Sequence, residues 1–187
     1  DYHHEIRRRL APVLESLQTQ YPTASFRLGL DAEPVMERDL AHRAGLGWVG
    51  KNTCLLNRDR GSLFFIAEIF TSLEFPAEPS ENPSDKHVTT LVSPDHCGTC
   101  TRCLEACPTG ALLEPRKLDP RLCISYWTIE SKSIAPKELR QKFGDWFFGC
   151  DICQTVCPWN GKVFGRDEIK ALTSATLPRD ESERTML

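Results

Sequence analysis

Cys97, Cys100, Cys103 and Cys107 follow one another at gaps of two, two and three residues and are closed by Pro108, the spacing of a bacterial ferredoxin-type run. Two-residue gaps let three thiolates wrap one face of an iron–sulfur cubane, while the fourth, starting a new turn ahead of proline, points to a second cluster. One run therefore predicts another. Cys150, Cys153 and Cys157, followed by Pro158, form that second run without its first member, and Phe147 stands where the missing cysteine is expected. Cys123 lies between the runs and brings the number to eight of the nine cysteines, or two sets of four. By ferredoxin logic Cys97, Cys100, Cys103 and Cys157 hold one 4Fe-4S cluster, and Cys107, Cys123, Cys150 and Cys153 hold the other. Structural zinc also takes tetrahedral thiolates, but usually from two well-separated pairs rather than a tight run of four. Cys54 sits in an apolar strand away from both runs and reads as a small buried hydrophobe with no assigned role.

The elements that must position these thiols follow from pattern and punctuation. Residues 95–165 form the cysteine lobe, with helices predicted over Thr101–Ala106, Asp119–Glu130, Pro136–Phe143 and Asp151–Val156; Asp119 caps the second of these and Pro120 opens its first turn. Residues 74–94, rich in Pro, Ser, Glu and Asp, read as a connector, and 166–187 as a polar tail. Residues 1–73 read as an α/β layer. An amphipathic helix over residues 1–20 offers Ile6, Leu10, Val13, Leu14 and Leu17 as a core stripe. A strand over Phe26–Leu30 leads to Asp31 at a strand-to-helix corner and a helix over Val35–Ala44. After a glycine-rich bend, strands over Thr53–Asn57 and Ser62–Thr71 are joined through Arg58-Asp59-Arg60-Gly61. The fold class is α+β.

Composition narrows the functions. With 40% apolar and 26% charged residues, the 187-residue chain falls in the globular range. Its longest apolar stretch, Leu63 to Ile69, is broken by Glu68 and falls far short of the roughly 20 residues that cross a bilayer. Asp1-Tyr2-His3-His4-Glu5 carries neither an initiator methionine nor a secretory pattern, so a fragment of a longer chain is expected. Nine cysteines without an export signal point to metal ligation in a reducing cytoplasm rather than to disulfides. A net charge of −3 gives no global attraction to nucleic acid. Lys132, Lys137, Arg140 and Lys142 form a local basic stretch, suited to phosphates or equally to a solvated helix face. Clusters conduct electrons but make no bonds, so the chain either serves a partner as an electron carrier or feeds a site in its own first lobe. Asp31 is there as a turn residue, a helix cap or an acid, and Lys51 and Asn52 are equally compatible with an ordinary loop.

Asp31-x-x-Pro34-Val35-x-Glu37-Arg38 and Ala44-Gly45-Leu46-Gly47-Trp48-x-Gly50-Lys51-Asn52-Thr53 resemble the epoxyqueuosine reductase family. Cys123-Ile124-Ser125-Tyr126, Thr128-Ile129-Glu130 and Gly149-Cys150-Asp151-x-Cys153-Gln154-x-Val156-Cys157-Pro158-Trp159-Asn160 extend the resemblance, including the isolated cysteine that completes the second cluster. The resemblance implies a cobalamin-dependent enzyme that reduces epoxyqueuosine to queuosine at the wobble position of tRNA. It implies a partial flavin-reductase-like α/β lobe before the ferredoxin-like lobe. Asp31 matches the family's proposed proton donor, a role that needs a protonated carboxyl, and Asp31, Leu55, Ser125, Cys150 and Asp151 are implied to lie near the cobalamin. No protein histidine on cobalt is implied, and His3 and His4 read as helix-surface residues. The implied partners are a tRNA anticodon loop and a low-potential electron donor, for a monomer with no membrane association. Family members carry a further segment before the position of Asp1 and helical repeats after the clusters, and their connector is shorter than Phe75 to Val92. Competing readings are a related corrinoid reductase, such as a reductive dehalogenase, and a two-cluster electron carrier that binds no corrin.

Overall fold

The computed structural model describes residues 2–31, 33–75, 94–165 and 167–169. In chain order the elements are α1 (Tyr2–Gln20), β1 (Phe26–Gly29), α2 (Glu37–Arg43), β2 (Trp48–Val49), β3 (Leu55–Leu56), β4 (Glu68–Thr71), α3 (Arg102–Ala106), β5 (Leu112–Glu114) and β6 (Lys117–Leu118). A 3-10 turn (Pro120–Leu122), a π-helical turn (Tyr126–Glu130), α4 (Lys137–Arg140), α5 (Ile152–Thr155) and α6 (Pro158–Phe164) complete them. The fold thus mixes short helices with small sheets, each of two antiparallel strands. Most of the predicted connector and tail lies outside the described residues.

The chain divides into two compact units, and among the described residues one comprises 2–45 with 65–75 and the other 46–64 with 94–169. In the first, β1 pairs with β4, Gly29 opposite Glu68 and Phe26 opposite Thr71. Ala24, Leu30 and Ala41 are its buried apolar residues. The α1 stripe expected to be core is only half-buried at Ile6, Leu10, Leu14 and Leu17, and Val13 is exposed. The physical reason is size, because two four-residue strands are too narrow to cover the apolar side of a 19-residue helix.

In the second unit Trp48, Leu55, Leu56, Ala111 and Ile124 make a dense core, each no more than 3% exposed. The hairpin expected between Thr53–Asn57 and Ser62–Thr71 is not formed. Leu55 and Leu56 pair back with Val49 and Trp48, and only a single bridge joins Asn57 to Gly61. Asn57 explains the difference: its side-chain oxygen accepts from the N–H groups of Asp59 and Arg60, at 2.9 and 3.1 Å, closing an Asx turn in place of a continuing ladder. The four helices predicted here appear as α3, α4, α5 and, over Asp119–Glu130, a broken pair. Asp119 does cap its turn, accepting from the Arg121 N–H at 3.0 Å. Cys123 then adopts an extended backbone, φ −76° and ψ 126°, and interrupts the helix before the π-helical turn.

Candidate metal centres

Two cavities in the second unit gather the cysteines. One, of about 280 Å3, is bordered by Cys97, Cys100, Cys103 and Cys157; the other, of about 190 Å3, by Cys107, Cys123, Cys150 and Cys153, with Cys54 beside them. These are the two sets expected from spacing, and Cys123 fills the place in the second set that Phe147, 44% exposed, leaves vacant. All nine cysteines are half-buried thiols outside any disulfide. A larger hollow of about 800 Å3 touches Cys157 but no other cysteine.

Local structure aims each thiol. The N–H of Cys97 donates to the Asp95 carboxylate at 2.8 Å, and Arg116 pairs with that carboxylate from the other side. Cys103 lies within α3, and Cys107 ends it in extended conformation, as a residue before proline must. Gly149, at φ 68°, makes the left-handed turn that delivers Cys150, and its N–H donates to the Thr128 hydroxyl at 2.9 Å. Cys153 lies in α5, and Cys157 caps α6 ahead of Pro158.

The electrostatics of the thiols tie the same groups together. Burial, then repulsion from neighbouring sulfurs, pushes Cys103 up to about 11. Cys150 is likewise pushed up to about 11, by burial and by Cys153, Cys123 and Asp151. Cys157 is raised by burial and by Cys97 and Cys100. Cys153 is raised further still, first by a hydrogen bond with Cys54 and then by burial, with Asp151 and Cys107 adding to it. Cys107 alone goes the other way: burial raises it, but the Thr109 hydroxyl and the N–H groups of Ala111 and Leu112 outweigh that.

Zinc asks for a tighter arrangement, with each sulfur about 2.3 Å from one ion. Among the described residues, no three His, Cys, Asp or Glu side chains converge on a point that suits a single metal ion.

Of the remaining expected site residues, Ser125, Cys150 and Asp151 border the second cavity, whereas Leu55 is packed in the core at 3% exposure. Asp31, in the first unit, is exposed, takes φ 51°, and accepts a hydrogen bond from the Tyr2 hydroxyl. A left-handed non-glycine residue at a strand end is strained, and aspartate is among the few that tolerate it.

Two residues escaped sequence reasoning. Cys54 lies outside β3, borders the second cavity and hydrogen-bonds with Cys153, so the isolated hydrophobe expected there is corrected to a fifth thiol at that cavity. Asn52, 4% exposed, borders both cavities and donates to the Cys153 carbonyl at 3.2 Å. Contacts across 99 to 101 positions leave no periodic trace; the turn-forming Gly50-Lys51-Asn52 was the available signal.

Residues 96–160 match the family described as a 4Fe-4S double cluster binding domain. The chain is 46% identical over 160 residues to an epoxyqueuosine reductase of Pseudomonas aeruginosa, covering 86% of this chain and 41% of that protein. It is 42% identical over 192 residues to one of Xanthomonas campestris, covering 98% and 51%. A solved epoxyqueuosine reductase with a tRNA-Tyr epoxyqueuosine-modified tRNA stem loop superposes with a TM-score of 0.68 at 34% identity, over 86% of this chain and 39% of that one. The chain belongs to the epoxyqueuosine reductase family, and it spans about half the length of the curated relatives it matches.

Proposed function

We propose that this chain carries the cluster-binding and proton-donating part of a cytoplasmic enzyme that reduces epoxyqueuosine to queuosine at the wobble position of tRNA. The observation that carries the reading is the pair of cavities, one bordered by four cysteines and the other by five, in a sequence 46% identical to an epoxyqueuosine reductase. Cys97, Cys100, Cys103 and Cys157 hold one 4Fe-4S cluster, and Cys107, Cys123, Cys150 and Cys153 hold the second. The first unit is read as part of a flavin-reductase-like α/β lobe, within the division 1–73, 74–94, 95–165 and 166–187.

Turning an epoxide into an alkene with release of water takes two electrons and two protons. Bound cobalamin would supply low-valent cobalt able to pass electrons to the epoxide carbon, which the clusters replenish singly. The second unit suits such a group in its polar residues: Ser125 and Asp151 lie beside Cys150 at one cavity. Leu55, buried as it is, offers only its backbone. Asp31 holds the proton for the departing oxygen, and the Tyr2 hydroxyl, donating to its carboxyl, fixes how that carboxyl is turned. The exposed Lys132, Lys137, Arg140 and Lys142 meet tRNA phosphates. Electrons enter from a low-potential donor, and the protein works as a monomer.

The test is anaerobic reconstitution with iron, sulfide and cobalamin, with iron and corrin counted and an epoxyqueuosine anticodon stem-loop assayed by mass. About eight irons, one corrin and queuosine product support the reading. Asp31→Asn retains iron and corrin but forms no product; an Asp31→Asn protein working at the wild-type rate refutes the proton-donor role. Eight irons with neither corrin nor product would leave an electron-transfer module.

A further inference from the structure

Lys51 borders the first cavity beside Cys97, Cys100, Cys103 and Cys157. Its ammonium donates to the Gly98 carbonyl at 2.7 Å, across 47 positions of chain. Gly98 lies inside the turn that carries the first two thiols of the run, which the Cys100 N–H closes by donating to the Cys97 carbonyl at 3.1 Å. The backbone end of the lysine is held as well. Its carbonyl accepts from the Arg116 N–H at 3.0 Å, and the Arg116 guanidinium donates to the Val49 carbonyl at 2.9 Å. A half-buried lysine tethered at both ends keeps its charge in one place. The charges around the two cavities are unequal. Besides its four cysteines, the first is bordered by Lys51, His96 and Arg102 and, among the described residues, by no carboxylate. Asp95, which accepts from the Cys97 N–H, is itself paired with Arg116. The second cavity is bordered by Asp151 and, among the described residues, by no lysine or arginine.

We propose that the Lys51 ammonium, pinned to the Gly98 carbonyl, holds the potential of the first cluster above the value it would have without that charge. The inference rests on the two-cluster reading given above. Reduction takes one electron from the low-potential donor and adds one negative charge to the cluster. A fixed cation beside the cluster stabilises that more negative state and so raises the potential. The charge acts through space, since the hydrogen bond of Lys51 goes to backbone and not to a sulfur. Lys51 borders the first cavity alone, whereas its neighbour Asn52 borders both, so the effect falls on one cluster. Lys51 is therefore a residue that sets a potential, not a ligand, and it makes the first cluster a readier acceptor for the incoming electron.

The test uses the whole chain reconstituted anaerobically with iron and sulfide, as wild type, Lys51→Gln, Lys51→Met and Lys51→Arg. Iron is counted first, and both potentials are then read by EPR-monitored titration. All four proteins should hold about eight irons. Lys51→Gln keeps a donor for the Gly98 carbonyl and Lys51→Met does not. Each should lower one potential by about tenfold in its one-electron equilibrium constant, about 59 mV, and leave the other unmoved. Lys51→Arg, which keeps the charge, should stay at the wild-type value. The shift should recur in a Cys123→Ser background, which lacks a ligand of the second set; a shift lost there belongs to the second cluster and overturns the proposal. Unchanged potentials in the neutral variants, a joint shift of both potentials, or a Lys51→Arg protein that falls with the neutral ones also overturns it. So does a Lys51→Gln protein that matches wild type while Lys51→Met falls, because the hydrogen bond and not the charge would then matter. Should one neutral variant fail to assemble, the other decides by the same criterion; if both hold only about four irons, Lys51 serves assembly and the proposal fails. About four irons in wild type would defeat the two-cluster reading itself, and the proposal with it.

Discussion

Asn160 has no exposed surface, and it ties three backbone segments of the second unit together. Its side-chain oxygen accepts from the Ser62 N–H at 2.6 Å, and its amide donates to the Ser62 hydroxyl at 2.9 Å and to the Gln154 carbonyl at 2.8 Å. Asn160→Ala removes all three bonds. The Ser62 hydroxyl keeps its contact with the Gln154 side chain at 2.8 Å and the Gln154 carbonyl still accepts from the Cys157 N–H at 3.1 Å, so one group, the Ser62 N–H, is left buried and unsatisfied. At about 1–3 kcal/mol for such a group, the loss is about 2 kcal/mol at the centre of the range. For a chain of this size that lowers the melting temperature by about 4–8 °C. Cluster loss makes melting irreversible, so circular dichroism and cluster absorbance should be followed at one fixed scan rate for both proteins. The fall should appear in both signals, because Gln154 and Asn160 flank Cys157. Gly61→Ala should imitate it, since a Cβ there would overlap the Asn160 oxygen and φ is 68°. A melting temperature within about 2 °C of wild type would show that the three bonds contribute little, and would refute the anchor role.

Cys123→Ser should cost about half the iron, from about eight to about four per chain, because it removes the only second-set ligand outside the two runs; an unchanged iron count would reject its assignment. Glu68→Gln should stabilise the protein at neutral pH. Both Glu68 carboxyl oxygens are shielded without a hydrogen-bond partner, and burial, then Glu37, Asp31 and Glu33, raise its pKa above the ordinary 4.5. With the folded value above the unfolded one, the contribution of Glu68 is fully present below about 4.5 and is lost as pH rises through the folded value. The gain from the amide should therefore vanish in melts run towards pH 4, and an equal gain at both pH values would contradict this account. Replacing Lys132, Lys137, Arg140 and Lys142 by alanine should flatten the salt dependence of stem-loop binding by up to about 3 in log–log slope. An unchanged slope would return these residues to the role of a solvated surface.

What could be read from the sequence was what is local. Cysteine gaps of two and three residues are dictated by the reach of one chain around one cluster, so both sets of four emerged from spacing, Cys123 included. The cap at Asp119 was legible for the same reason. Strand partners were not, because alternation marks a strand without naming its neighbour: β4 crosses back to β1, and β3 to β2. The break at Cys123 was hidden as well, since Asp119–Glu130 has good helical signals throughout and only the demand that its thiol border a cavity explains the extended backbone. Asn160 and Cys54 matter through partners 98 and 99 positions away, Ser62 and Cys153, where no pattern in a short window can point.

The two cavities draw their cysteines from interleaved stretches of chain: the first set opens at Cys97 and closes only at Cys157, and the second runs from Cys107 to Cys153 inside it. During synthesis the inner set is therefore complete first, although the outer one begins earlier. At roughly 5–20 residues per second, Cys97, Cys100 and Cys103 leave the ribosome several seconds before Cys157 exists. On the two-cluster reading, iron delivered in that interval would meet three thiols where four are required. On that reading, nascent chains truncated just before Cys157 should fill the inner site while leaving the outer one open.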